Sequence, residues 1–187
     1  MINAIITDFD GTLVDTFEAN LLAYQKAFNE VGMNLSAEKY RQCFGYRFER
    51  FMTAVGITDE KTADYIKEAK KEYYPQFFDF LNPNAALIEL ISSFHAMGGK
   101  TAIASTARKE NLINVVNYLG IGDRFDLIFA SIDVKQGKPS PEIYLKAMDA
   151  LGVKANETII FEDSEVGIEA AKASRANYMV VSPEQFK

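Results

Sequence analysis

The sequence contains little that would support a disulfide-bonded, secreted or membrane-spanning protein. Its single cysteine, Cys43, excludes an internal disulfide, so nothing indicates an oxidising compartment. No apolar run approaches the roughly 20 residues that a membrane-spanning helix requires. The amino terminus also has neither the basic segment nor the apolar run that marks a signal peptide. These absences predict a cytoplasmic protein.

Basic residues are in the minority as well. The 20 lysines and arginines stand against 26 aspartates and glutamates, which gives a formal net charge of -6. Nucleic acids and anionic lipids are held electrostatically by a basic face, so we expect neither as a partner. The 187 residues, 48% of them hydrophobic, are sufficient for one ordinary domain plus an insert. We expect a monomer or a weak homodimer.

Apolar patterning predicts an α/β fold. Short runs rich in β-branched residues are typical of buried strands, and helical patterns lie between the later ones. Alternating strands and helices favour a parallel sheet that is covered on both faces. The predicted strands are residues 2–7, 101–105, 127–131, 158–161 and 178–181, and the predicted helices between them are residues 85–97, 110–119, 141–151 and 166–173.

Residues 16–80 have a different texture, because they are helical throughout. The predicted helices there are residues 18–31, 37–43, 49–54 and 61–78. The sequence therefore predicts a helical domain at residues 16–80, inserted after the first strand of a core formed by residues 1–15 and 81–187. A turn signal at residues 82–84 marks the return to the core.

Polar residues follow several of the predicted strands. In an open parallel sheet, ligands bind outside the carboxyl ends of the strands, so these residues are expected to converge on one crevice. Lys138 joins them from a loop just before a predicted helix, which Ser140 is expected to cap and Pro141 to open. The strand-end residues are Asp8 and Asp10 after the first strand, Ser105 and Thr106 after the second, and Glu162 and Asp163 after the fourth.

These residue types favour phosphoryl chemistry. Four carboxylates facing one lysine need a divalent cation, and oxygen ligands suit Mg²⁺. An aspartate is ionised at neutral pH and attacks phosphorus without an activating base, while a second carboxyl group two residues away serves as general acid and base. Lys138 and the Ser105 hydroxyl are expected to hold the transferring phosphoryl oxygens. The substrate is then a small phosphorylated metabolite.

Four motifs in order resemble those of the haloacid dehalogenase-like (HAD) superfamily. The helical insert resembles the cap of the subfamily that includes phosphoglycolate phosphatases and β-phosphoglucomutases. The motifs are DFDGTLVD at residues 8–15, Ser105 after an apolar strand, GKPSP at residues 137–141, and FEDS at residues 161–164.

The resemblance implies specific roles for the acids. Asp8 is the nucleophile, and Asp10 is the general acid and base. Mg²⁺ is bound by the Asp8 carboxylate, the Asp10 backbone carbonyl and Asp163, with Glu162 in support. The resemblance also implies a Rossmann-like core and a cap that opens and closes over the substrate.

Several of these residues have simpler alternative roles. Ser105, Thr106 and Asp163 are each of a type that caps helix amino termini. The resemblance implies that Arg108 binds a distal phosphate, because the related mutases use a basic residue near this position in that way. Arg47, in the cap, is expected to bind a substrate carboxylate or phosphate. Both arginines also fit an ordinary surface position.

Two alternatives to a phosphatase remain. A hexose phosphate mutase has the same cap type, but Asn20 and Ala107-Arg108 stand where mutases carry a histidine and a serine-lysine pair. A phosphoacceptor signalling module also combines aspartates, Mg²⁺, a hydroxyl and a lysine. Such receiver domains lack a helical insert, so hydrolysis of a phosphomonoester is the favoured function.

Overall fold

The computed structural model describes residues 1–186 and divides them into two compact units. The first unit contains Met1–Asp15 and the chain from Asn82 onward, and the second is Thr16–Leu81. None of the described helices combines the length and apolar character needed to cross a membrane.

A five-stranded sheet with strand order β5-β4-β1-β6-β7 forms the centre of the first unit. All neighbouring strands in it are parallel, as predicted from the alternation of strands and helices. Two further strands pair as a short antiparallel ribbon where the chain leaves and re-enters this unit. The strands are β1 (Ala4–Thr7), β2 (Val14–Asp15), β3 (Asn82–Pro83), β4 (Lys100–Ala104), β5 (Leu127–Phe129), β6 (Thr158–Glu162) and β7 (Asn177–Val180).

The second unit is helical, and its helices close over a core of their own. Aromatic rings dominate that core, with Tyr24 and Tyr40 both in contact with Phe51. Cys43 is buried in the same cluster. The helices are α1 (Phe17–Glu30), α2 (Ala37–Cys43), α3 (Phe48–Ala54) and α4 (Glu60–Tyr73).

Four helices cover the sheet of the first unit. Residues of β1, β4 and β6 form one buried cluster with α7 and α8, so the central strands are shielded from water. The sheet is thereby fixed as the rigid platform from which the strand-end residues project. These helices are α5 (Ala85–Ala96), α6 (Lys109–Tyr118), α7 (Glu142–Leu151) and α8 (Glu165–Ser174).

Some predicted boundaries were wrong. The helix predicted at residues 61–78 ends at Tyr73, and a 3-10 helix, Tyr74–Phe80, follows. Pro75 accounts for the change, because proline has no N–H for the α-helical hydrogen bond. The strand predicted at residues 127–131 ends at Phe129, because the carboxylate of Asp133 accepts the next backbone N–H, that of Ala130, at 2.8 Å.

The start of α7 also differs from its prediction. The N-cap residue is Pro141, and Glu142 is the first helical residue. Ser140 lies one residue earlier than a capping position, although its hydroxyl accepts a hydrogen bond from the backbone N–H of Glu142 at 3.3 Å.

Candidate active site

The candidate site is built on the carboxyl edge of three adjacent strands. Asp8 directly follows β1, and its backbone N–H continues the pairing with β6 by donating to the carbonyl of Phe161 at 2.9 Å. Asp163 follows β6, and Ser105 follows β4 on the other side of β1. Because these strands are parallel, their ends place the three polar side chains at one edge of the sheet.

Lys138 joins two of the acids. Its ammonium nitrogen lies 2.5 Å from Oδ1 of Asp8 and 2.6 Å from Oε1 of Glu162, and its side chain is only 3% exposed. The loop that presents it is anchored by Glu142, whose carboxylate accepts the backbone N–H groups of Lys135 and Gln136 at 2.9 and 2.8 Å. These two hydrogen bonds are the main cause that lowers the pKa of Glu142 to about 2.

Glu162 is fully buried and surrounded by donors. Its Oε1 accepts Lys138 and the hydroxyl of Tyr144, the latter at 2.7 Å. Its Oε2 accepts the backbone N–H groups of Asp163 and Ser164 and the Ser164 hydroxyl, at 3.0 to 3.2 Å. A carboxylate offers about four lone-pair positions, and these donors occupy them. Glu162 is therefore suited to hold its neighbours in place.

Asp163 is tied to the turn that follows β1. The hydroxyl of Thr12 donates to its Oδ1 at 2.7 Å. Gly11 makes room for the carboxylate, because a Cβ atom at that position would collide with Oδ2. Asp163 is not the N-cap of α8; that residue is Ser164, whose hydroxyl accepts the backbone N–H of Gly167 at 3.1 Å.

Burial sets the electrostatics of the three acids. Burial, reinforced by repulsion from Glu162 and Asp163, raises the pKa of Asp8 well above its ordinary value despite the contact with Lys138. Burial likewise raises the pKa of Asp163 to about 6, although the Thr12 hydroxyl opposes the shift. Burial acts in the same direction on Glu162, but the charge of Lys138 and the hydrogen bonds from Lys138, Tyr144 and Ser164 together outweigh it and lower the pKa of that carboxyl group. Burial thus disfavours the ionised forms of Asp8 and Asp163, and a further positive charge beside them would be needed to restore those forms.

The donor set fits a divalent cation. One carboxylate oxygen from each of Asp8, Glu162 and Asp163 lies within 4.8 Å of the others. Asp8 and Asp163 are the two whose pKa is raised, so a cation between them would favour their charged forms. Oxygen ligands of this kind suit Mg²⁺. The hydrogen bonds that already occupy Glu162 favour a supporting role for it.

The other predicted site residues lie in the turn after β1, in the segment after β4 and in the helical unit. Asp10 is half-buried in the turn after β1, where its backbone forms an isolated β-bridge with that of Val14. Ser105 is buried, and its hydroxyl accepts the backbone N–H of Ala107 at 3.0 Å. It does not cap α6, whose N-cap residue is Arg108.

Thr106 is half-buried just beyond Ser105. The guanidinium of Arg108 approaches the carboxylate of Glu110 at 3.9 Å. Arg47 belongs to the helical unit, where it precedes α3 as its N-cap residue. Its Nε and Nη2 atoms are buried without a hydrogen-bond partner among residues 1–186.

Sequence reasoning missed two residues that contact the acids. Tyr144 lies in the apolar pattern of α7 and looks like an ordinary core residue, yet its buried hydroxyl binds Glu162. Thr12 belongs to the first motif, but no local pattern predicts its contact with Asp163. Its position four residues after Asp8, in a tight turn, is the signal that the sequence offers.

Comparison with known proteins places the chain in a family. The family model for haloacid dehalogenase-like hydrolase matches residues 5–181. This chain belongs to the haloacid dehalogenase-like hydrolases. The predicted family and fold class are thereby confirmed.

Three relatives illustrate the similarity. A "phosphorylated carbohydrates phosphatase" of Thermotoga maritima is 29% identical over 91% of this chain and 81% of its own length. Protein CbbY of Rhodobacter capsulatus is 32% identical over 99% of this chain and 87% of its own. The crystal structure of a β-phosphoglucomutase from Clostridium difficile superposes with a TM-score of 0.83 at 28% identity, covering 99% of this chain and 86% of that one. The phosphatase names among the relatives support the prediction of a phosphoric monoester hydrolase.

Proposed function

We propose that this HAD-like hydrolase is a Mg²⁺-dependent phosphatase that cleaves a small phosphomonoester through an aspartyl-phosphate intermediate on Asp8. The observation that carries the proposal is the contact between Lys138 and Asp8 at the edge where Asp163 also lies. A carboxylate, a cation site and a fixed ammonium group are the components that attack on a phosphate ester requires.

The first half-reaction forms a bond from a carboxylate oxygen of Asp8 to phosphorus and breaks the bond from phosphorus to the ester oxygen. Asp10, in its protonated form, gives its proton to the departing oxygen. Lys138, Ser105, Thr106 and Arg108 are assigned to the phosphoryl oxygens, where fixed positive charge and donors stabilise the transition state.

The second half-reaction regenerates the enzyme. Asp10, now ionised, removes a proton from water, and the water oxygen attacks the phosphorus of phospho-Asp8. The bond from phosphorus to Asp8 breaks, which releases inorganic phosphate and restores both carboxyl groups. Mg²⁺ would be held by the Asp8 carboxylate, the Asp10 carbonyl and Asp163, with Glu162 in support. Bound there, it would neutralise the negative charge of the phosphoryl group.

The proposed substrate class is small sugar phosphates. The name of the Thermotoga relative supports it, because that protein is called a phosphatase of phosphorylated carbohydrates. Arg47 is assigned to a second anionic group of the substrate, since two of its buried nitrogen atoms have no partner among the described residues. Residues 16–80 are assigned the role of a cap that encloses the substrate.

The test is phosphate release from a panel of sugar phosphates, phosphoglycolate, nucleotides and pyridoxal phosphate, with Mg²⁺ or with EDTA. We expect release that depends on Mg²⁺ and disappears in Asp8→Asn. Asp149→Asn, at an exposed position on α7, is the control and should retain activity. Release by Asp8→Asn at the wild-type rate would reject the covalent mechanism.

A mutase is the second candidate, because a β-phosphoglucomutase is among the similar solved structures. Asn20 disfavours it. This residue stands where mutases carry a histidine, and its amide donates to the carbonyl of Thr16 and to the hydroxyl of Tyr74. Isomerisation of β-glucose 1-phosphate with a bisphosphate primer, faster than hydrolysis, would be needed to prefer the mutase.

A further inference from the structure

A hydrogen bond between two side chains, those of Thr12 and Asp163, connects the turn after β1 to the end of β6. Thr12 is fully buried, and its hydroxyl donates to Oδ1 of Asp163 at 2.7 Å. The two residues are 151 positions apart in the sequence, so the fold brings them together. Buried hydroxyl groups find a partner for reasons of stability alone, so the hydrogen bond by itself does not define a role.

The turn that carries Thr12 is held from two directions. The carbonyl of Phe9 accepts the backbone N–H groups of Leu13 and Val14 at 3.1 and 3.0 Å. From the other side, the amide group of Asn84 donates to the Thr12 carbonyl at 3.3 Å. The hydroxyl is therefore presented to Asp163 from a fixed backbone, which allows it to select one orientation of the carboxylate.

Gly11 restricts the other oxygen of the same carboxylate. A Cβ atom at Gly11 would collide with Oδ2 of Asp163, so that oxygen lies directly against the glycine backbone. The carboxylate is thus held between a hydroxyl donor on Oδ1 and the turn on Oδ2. Partners that orient a metal ligand typically matter about 10- to 100-fold for metal affinity.

We propose that Thr12 is a positioning residue that orients the Asp163 carboxylate toward the divalent cation. This inference rests on the proposed magnesium site and adds to it a residue that does not touch the cation. The hydroxyl is required for this function, and the shape of the side chain is not. Serine should therefore replace threonine, whereas valine, which has nearly the same shape, should fail.

The experiment measures cation binding without substrate. Mn²⁺ is titrated into three metal-free proteins: wild type, Thr12→Val and Thr12→Ser. The concentration of free Mn²⁺ is followed by electron paramagnetic resonance, and the Mg²⁺ affinity is obtained by competition with Mn²⁺. Thr101→Val is the matched control. Thr101 is also fully buried, and its hydroxyl donates to the carbonyl of Arg124 at 2.7 Å. It lies at the start of β4, whereas the candidate site lies beyond the other end of that strand. Thermal unfolding in EDTA compares the stability of all four proteins.

We expect Thr12→Val to weaken cation affinity about 10- to 100-fold, with Thr12→Ser and Thr101→Val close to wild type. Wild-type affinity in Thr12→Val would overturn the positioning role. An equal loss in Thr12→Val and Thr101→Val, in proportion to lost stability, would also overturn it, because the contact would then be only structural. A wild-type protein that binds neither cation would overturn the magnesium site itself, and the role of Thr12 with it.

Discussion

The ammonium group of Lys138 lies 2.5 Å from Oδ1 of Asp8, so the proposed nucleophile is paired with a buried positive charge. Burial alone would lower the pKa of Lys138, but Asp8, Tyr144 and Glu162 together raise it well above its ordinary value. The lysine therefore stays charged throughout the physiological range. A permanent charge at this position can neutralise either the carboxylate or an incoming phosphoryl oxygen.

Replacing Lys138 by methionine should both lower activity and destabilise the fold. The substitution leaves Asp8, Glu162 and Asp163 facing one another, and breaking a buried pair in this way costs about 3–5 kcal/mol. Loss of the charge at the phosphoryl group should lower kcat by about 10²- to 10³-fold. Chemical denaturation and phosphate release at saturating Mg²⁺ measure the two effects.

Lys146→Met provides the control for Lys138→Met. Lys146 pairs with Glu142 at 3.2 Å on the surface, with 46% of its side chain exposed. Exposed pairs of this spacing contribute about 0.3–0.5 kcal/mol. If the two variants lost similar stability, the interpretation of Lys138 as a buried, paired charge would be wrong.

Gly167→Ala should be harmful although it lies inside a helix. Alanine normally stabilises a helix by about 1 kcal/mol relative to glycine. At this buried position, however, the new Cβ atom would overlap the carboxylate of Glu162, which is held by Lys138 and Tyr144. We expect a net loss of stability on the order of 1–3 kcal/mol, from forced movement of the carboxylate, together with reduced activity.

Unfolding free energies and phosphate release check this prediction. Glu169→Ala, on the exposed face of the same helix, is the matched control and should leave both nearly unchanged. A Gly167→Ala protein that is more stable than wild type and fully active would show that Glu162 has no fixed position.

Arg47→Met should change selectivity without harming the fold. It removes two buried nitrogen atoms that have no hydrogen-bond partner among residues 1–186, so stability should stay the same or rise. If Arg47 binds a second anionic group, kcat/KM for a sugar bisphosphate should fall about 10- to 100-fold, because a charge-assisted hydrogen bond contributes about 1.5–3 kcal/mol. A sugar monophosphate should be affected much less.

The control for this arginine is Arg50→Met. The Arg50 side chain is exposed, with its guanidinium carbon 3.8 Å from the centroid of the Tyr46 ring. Equal losses for the bisphosphate and the monophosphate in Arg47→Met, combined with lower stability, would indicate a packing role and would reject the assignment to substrate.

The sequence was sufficient to predict the elements whose signal is local. Asp8 and Glu162-Asp163 follow short apolar runs that are typical of buried strands, and the parallel topology then brings the strand ends together. The position of Lys138 is also a local signal, because its motif lies directly before a predicted helix. The sequence therefore predicts three residues of the candidate site, Asp8, Lys138 and Asp163, without any long-range information.

Other parts of the site depend on contacts that no local pattern encodes. The hydroxyl of Tyr144 meets Glu162 only because α7 packs against the sheet, and a phenylalanine would fit the same periodicity. The end of α4 is a different case, since the signal there is local: Pro75 lies within the predicted helix and ends the α-helical hydrogen bonding. Long-range pairing thus limits what the sequence predicts, more than any lack of local signal.

The stabilising effect of Mg²⁺ should increase with pH between about 5 and 7. In the metal-free protein, burial raises the pKa of Asp163 to about 6, which is above the value in the unfolded chain. Folding therefore favours the protonated carboxyl group, and this contribution to stability is lost as the pH rises through 6. Only the ionised carboxylate binds the cation, so Mg²⁺ should restore more stability at pH 7 than at pH 5. The measurement is the difference between Tm in Mg²⁺ and Tm in EDTA at each pH, which cancels the opposite pH response of Glu162. Asp163→Asn should show a smaller difference that varies less with pH, and an equal difference at pH 5 and pH 7 in the wild type would contradict a cation held by Asp163.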